Sequence, residues 1–175
     1  MPTIGVALAI PEPWGRQLQD YRVSLGDDTA RHIPSHITLV PPVDADASAI
    51  DPIRAHLAEA AAGFQGFRVH LRGTGTFRPV SPVVFVMVAE GISACEQLAA
   101  ELRSGPLAVP LQFPYHPHVT VAHHLSDDDL DRAFDDLADF ECVFDAAAIH
   151  LYEHDPEVGW RPTSEFALAP AAALT

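Results

Sequence analysis

His36-Ile37-Thr38-Leu39 and His118-Val119-Thr120-Val121 carry one pattern twice: histidine, apolar residue, threonine, apolar residue. Each copy has a proline close before it, Pro34 or Pro117, and each reads as a short strand. Side chains alternate along a strand, so His36 and Thr38 share one face while Ile37 and Leu39 point to the other, into the core. His118 and Thr120 stand in the same relation to Val119 and Val121. Each segment is therefore a rigid rail presenting a proton carrier beside a hydroxyl. One copy alone would carry no information, whereas a matched pair does.

Around these rails the chain alternates between strand and helix patterns. Residues 3–10 form a short apolar run closed by Pro11, read as a buried strand. A helix is predicted over 13–25, and a strand over 37–40 stopped by Pro41-Pro42. Ile50, Ile53, Leu57 and Ala61 recur at helical spacing within 48–62, and Gly63 stops that helix. Strands are predicted over 67–77, 83–89 and 119–122. Ile92, Cys95, Leu98, Ala99 and Leu102 form a second helical stripe. Ser126 reads as an N-cap, with Asp127, Asp128 and Asp129 in the turn where the helix dipole favours negative charge. Closing strands are predicted over 143–153 and 164–169, with a loose tail over 170–175. No linker divides the chain, so residues 1–175 are expected to form a single α+β domain with a largely antiparallel or mixed sheet.

The 175 residues are 48% apolar, enough for a sizeable core. There are 24 acidic residues, 10 arginines and no lysine, for a net charge of −14. That balance argues against a long duplex track, which rests on many Lys/Arg–phosphate contacts, but a few residues can still hold a small phosphate. The cysteines are Cys95 and Cys142, with no CxxC, so neither a zinc ribbon nor a disulfide scaffold is expected. No apolar run reaches the roughly 18 residues that span a bilayer, and residues 1–11 lack a basic leader. A cytoplasmic protein with reduced thiols and no membrane partner is expected.

Two imidazoles and two hydroxyls suit in-line transfer at a phosphodiester. One neutral histidine takes a proton from the attacking oxygen, and a protonated one supplies the leaving oxygen. The threonine hydroxyls donate to non-bridging oxygens, where charge gathers. These groups supply both proton transfer and charge stabilisation, so no metal or cofactor is required.

The paired motifs resemble those of the two-histidine (2H) phosphoesterase superfamily, the 2′-5′ RNA ligase-like proteins. Phe113 to Ala122 is similar to the family's second-motif block, and Ile149-His150-Leu151-Tyr152-Glu153, Gly159-Trp160 and Phe166-Ala167-Leu168 to its closing hairpin. The resemblance implies a bilobal fold: two antiparallel or mixed sheets related by a pseudo-twofold around a central cleft, with helices outside. It implies metal-independent opening of 2′,3′-cyclic or related phosphodiesters, or 2′-5′ ligation and cleavage of RNA. It assigns His36 and His118 as the catalytic acid/base pair and Thr38 and Thr120 as phosphate contacts. Many relatives place a basic residue after the second motif, where this chain has Ala122-His123-His124. With no lysine and a net charge of −14, the expected substrate is a small cyclic nucleotide or a short RNA end, not duplex DNA. Oligomeric state is not legible.

Tyr115, His116, His123, Arg31, Arg72, Arg78 and Phe77 are further candidates for substrate contact: the aromatic groups for stacking, the arginines as phosphate forks. Two alternatives remain open beside the phosphodiesterase reading. One is a nucleotide or RNA-end binding module without turnover. The other is a metal-dependent hydrolase using His116, His118, His123 and His124, for which no carboxylate partner at fixed spacing speaks.

Overall fold

The computed structural model describes residues 1–171. Its strands are β1 (Thr3–Ala9), β2 (His36–Asp44), β3 (Phe67–Thr76), β4 (Val83–Glu90), β5 (His118–His123), β6 (Glu141–Ala146), β7 (Ala148–Asp155) and β8 (Gly159–Ala167). Its helices are α1 (Trp14–Ser24), α2 (Ile50–Ala62), α3 (Ile92–Leu102) and α4 (Asp127–Asp136). The strands form two four-stranded sheets, ordered β2-β1-β7-β8 and β5-β4-β3-β6, with every neighbouring pair antiparallel. The two orders correspond position by position. Each motif strand is an edge strand, and β2 and β5 pack against each other where the sheets meet.

The helices strengthen that junction. α1 follows β1 yet packs against β5, while α3 follows β4 yet packs against β2. Each half thus supports the other half's motif strand. The core is continuous across both: Ile37, Leu39, Val119, Val121, Leu18, Leu98 and Leu102 are fully buried. The inward faces of the motif strands are the apolar ones that alternation predicts. Ser126 caps α4, its hydroxyl accepting from the Asp129 amide at 3.2 Å.

Two strand expectations are corrected. β2 does not stop at Pro41-Pro42 but runs on to Asp44. An edge strand tolerates prolines, because their missing N–H groups need no partner there. The register between β1 and β2 also slips from Ile4↔Val43 to Val6↔Val40, so an extra residue in β2 is absorbed as a bulge. The run over 143–153 is not one strand. It breaks at Ala147 into β6 and β7, which belong to different sheets. The tail expected over 170–175 lies outside the described residues from 172 onward. Among the described residues, no helix is long and apolar enough to cross a membrane.

Candidate active site

His36 and His118 each open a motif strand, and both are held by the same local bond. His36 Nδ1 lies 2.6 Å from the Pro34 carbonyl, and His118 Nδ1 lies 2.6 Å from the His116 carbonyl. A carbonyl can only accept, so Nδ1 carries the proton and donates in both rings. In its neutral form each ring therefore keeps Nε2 as the basic nitrogen. The bond spans two residues in each case, so the loop before each strand orients the ring the strand carries.

The two rings sense each other and their surroundings. Burial lowers the His36 pKa from its ordinary value, the Pro34 bond opposes this, and the positive charge of Arg22 adds to the lowering. Burial likewise lowers that of His118, opposed by the His116 bond and reinforced by the charges of His116 and His36. Both rings thus favour the neutral form in the free protein. An anion between them would reverse that preference.

Thr38 and Thr120 are half-buried and lie on the same faces as their histidines. Thr38 pairs with Ala7 on β1, and Thr120 with Phe85 on β4. Tyr115 reaches across the junction: its hydroxyl donates to the Thr38 carbonyl at 2.8 Å, and the Arg103 guanidinium lies 5.7 Å from its ring centroid. The structure thus gives this candidate stacking residue a strut between the halves.

Phe77 and His116 join an aromatic cluster around His118. The Phe77 ring stands edge-on to His118 at 4.9 Å and to His116 at 5.4 Å, and Phe85 closes the group at 5.2 Å from His118. His123 sits at the far end of β5, about 16 Å from His118 along an extended strand. There it stacks on His124 with centroids 3.7 Å apart. The four histidines named for a metal site therefore divide into two pairs at opposite ends of one strand. Among the described residues, no group of three or more ligating side chains converges.

Of the candidate arginines, one is held by α4 and two are exposed. Arg78 is tied to α4 through Asp131 at 2.9 Å, and its Nε donates to Thr76 Oγ1 at 3.2 Å. Arg31 is exposed in the turn before β2, and Arg72 is exposed opposite Glu141 on β6. The cation beside the site is Arg22 on α1, buried and paired with Asp27 at 3.2 Å, its Nε without a partner. Sequence reading missed it because its charge is placed there by packing, without a motif. In the sequence, Tyr152 and Trp160 stand only within the closing-hairpin segments. Together with Gly5 and Ala7 they line an open cavity of about 100 Å³ that reaches His36 and Thr38.

Comparison with known proteins gives the family and the fold. The family model described as the 2′-5′ RNA ligase superfamily matches residues 10–157. A Halalkalibacterium halodurans protein with the provisional name of phosphoesterase is 29% identical over 126 residues, covering 72% of each chain. A similarly named protein of Staphylococcus haemolyticus is 24% identical over 169 residues, covering 95% of this chain and 99% of its own. Among solved structures, E. coli LigT complexed with NADP+ superimposes with a TM-score of 0.70 at 19% identity, over 96% of this chain and 98% of LigT. A Thermus thermophilus protein gives 0.69 at 21% identity, over 97% and 99%. The fold is that of LigT.

Proposed function

Because this chain belongs to the 2′-5′ RNA ligase superfamily, we propose that it is a phosphodiesterase opening 2′,3′-cyclic phosphates of nucleotides or short RNA ends. His36 and His118 act as the acid/base pair, and Thr38 and Thr120 hold the phosphate. The observation that carries this reading is the matched pair of Nδ1 bonds to the Pro34 and His116 carbonyls, which gives two histidines the same tautomer.

In hydrolysis, one neutral imidazole takes a proton on Nε2 from the attacking water as its oxygen bonds to phosphorus. The other ring, protonated on Nε2, gives that proton to the ribose oxygen as the P–O bond breaks. The threonine hydroxyls donate to the non-bridging oxygens as charge builds there. The acid takes up its proton from solvent as the substrate binds. Burial lowers the pKa of both rings in the free protein, and the phosphate's negative charge raises their affinity for a proton. No step requires a metal, and the two lobes act as one unit over residues 1–175.

A small ligand fits the charge distribution. Of the arginines, Arg22, Arg54, Arg68, Arg78, Arg132 and Arg161 are paired with carboxylates. That leaves no basic track for a long RNA among the described residues. LigT has been solved with NADP+, 3′-AMP and ATP, which supports a nucleotide-sized ligand here.

The test is incubation with 2′,3′-cyclic nucleotides and a cyclic-phosphate-ended oligonucleotide, with and without excess chelator. A 2′- or 3′-monophosphate formed equally in both is expected. Binding without product would make the protein a recognition module, and product lost with chelator would favour a metal-dependent enzyme.

A further inference from the structure

Arg22 and Ser35 are the buried hydrophilic side chains among the described residues, and both hold the same stretch of chain. That stretch connects α1 to β2 and ends at His36. Where it starts, Arg22 Nη2 donates to Asp27 Oδ2 at 3.2 Å. In its middle, Gln19 Nε2 donates to the carbonyls of Ala30 and Arg31 at 2.9 and 3.2 Å. At its end, Ser35 Oγ donates to the Gly15 carbonyl at 2.8 Å. Gly15, Gln19 and Arg22 recur at helical spacing, so the three anchors stand on one face of α1. From the other side, Gly159 abuts His32 so closely that a Cβ there would collide with it. Within this pinned stretch lies the Pro34 carbonyl that holds His36 Nδ1.

A buried ion pair is a poor source of stability, because desolvation offsets much of its Coulomb attraction. This one supplies direction instead, and its charge is lopsided toward the site. Burial is the main cause lowering the His36 pKa, and the Arg22 charge adds to it with no counter-effect from Asp27. At His123 burial leads again and His124 adds, while Arg22 and Asp27 oppose each other. His36 therefore faces the cationic end of the pair. The other ionisable groups around its ring are His118 from β5 and Tyr152 from β7, neither of them a permanent charge. Neighbouring β1 carries no ionisable side chain, and α3 brings Glu96 and Arg103 to Tyr115 rather than to His36.

We propose that Arg22 is a positioning residue for His36, acting with Gln19 and Ser35. One face of α1 fixes the connection, the connection fixes the Pro34 carbonyl, and the carbonyl fixes the ring. The arginine's charge has a second effect: it disfavours a proton on that ring while the cleft is empty, and it attracts an anionic phosphate in a chain of net charge −14. The inference deepens the phosphodiesterase reading and rests on it for its kinetic consequences.

The test pairs histidine-ring NMR of the whole protein with steady-state kinetics on a 2′,3′-cyclic nucleotide. Arg22→Met alone would leave Asp27 buried and unpaired, so the main variant is Arg22→Met/Asp27→Asn, which removes both charges. It should lower kcat by about 10²-fold, the cost of misplacing a reacting group by about 1 Å. The His36 titration should move up in pH, and that of His118 by less. Arg22→Lys keeps the charge without the planar donor, so it should leave the His36 titration in place and restore part of kcat. Gln19→Ala keeps the pair and loses the two middle bonds, so kcat should fall with the His36 titration unmoved. Wild-type kcat and an unmoved His36 titration in the double variant would overturn the proposal. Equal displacement of His36 and His118 would also overturn it, since that means general loosening. Should the double variant fail to fold, wild-type kcat in both Arg22→Lys and Gln19→Ala would overturn it. Failure of the two readings is separable. A wild type without turnover whose His36 ring is displaced in the double variant sinks the enzyme and keeps the latch. Turnover in the wild type with His36 unmoved in the double variant sinks the latch and keeps the enzyme.

Discussion

Tyr115 donates its hydroxyl hydrogen to the carbonyl oxygen of Thr38 at 2.8 Å, joining residues 77 positions apart. The bond ties the loop before one motif to the strand that carries the other. A second tyrosine joins two helices, since Tyr21 on α1 donates to Asp136 of α4 at 2.8 Å.

Tyr115→Phe should therefore destabilise the protein by about 0.5–1.5 kcal/mol, because a part-buried carbonyl loses a hydrogen bond. Chemical denaturation measures this. A stability equal to the wild type's would show that the strut carries no load.

Thr38→Val and Thr120→Val keep the strand shape and remove one hydroxyl each. If these hydroxyls hold the phosphate as charge builds, each change should lower kcat by about 10²-fold or more, in the range for one lost oxyanion donor. Steady-state kinetics on a cyclic nucleotide decides it. A change confined to KM would mean that the hydroxyls bind the ground state only.

Gly75→Ala places a methyl group into the Phe85 ring, at the 2.7 Å separation from a built Cβ. Phe85 must then shift, and its ring packs 5.2 Å from that of His118. Activity should fall although Gly75 touches neither motif. The histidine ring resonances of His118 in NMR spectra should shift while those of His36 stay put. Unchanged His118 resonances would refute the coupling.

Burial lowers the pKa of His36 and of His118 from its ordinary value. The sign follows directly. The unfolded chain binds more protons than the native one below the ordinary histidine pKa of about 6.5, so stability is full above that value. It is lost as pH falls through it toward the lower native values. The wild type should lose more stability between about pH 7.5 and pH 5.5 than a His36→Asn/His118→Asn double variant. Parallel melting curves would contradict the burial argument.

The site was partly legible because its essential pattern is local. A histidine and a threonine two apart on a strand must share a face, so the His36/Thr38 and His118/Thr120 rails needed only alternation to be recognised. What joins them was not legible. The run of β2 through Pro41-Pro42 and the break at Ala147 depend on which strand lies at a sheet edge and which sheet receives the next segment. Neither leaves a mark in local propensity. Arg78 looked free by position, yet Asp131 on α4 claims it. Arg22 looked ordinary within a helix, yet packing buries it near the motifs. The contrast of Ala7 with Phe85 becomes visible only once β1 and β4 are seen as equivalent strands.

The central claim is that two histidines share one proton-transfer task. Phosphorus NMR of 2′,3′-cyclic adenosine monophosphate in excess chelator, with the wild type, His36→Ala and His118→Ala, tests it most directly. The wild type should convert the cyclic resonance to a single monophosphate, and each variant, still folded, should be slower by about 10²- to 10⁴-fold. Wild-type turnover that survives loss of either histidine would contradict the account.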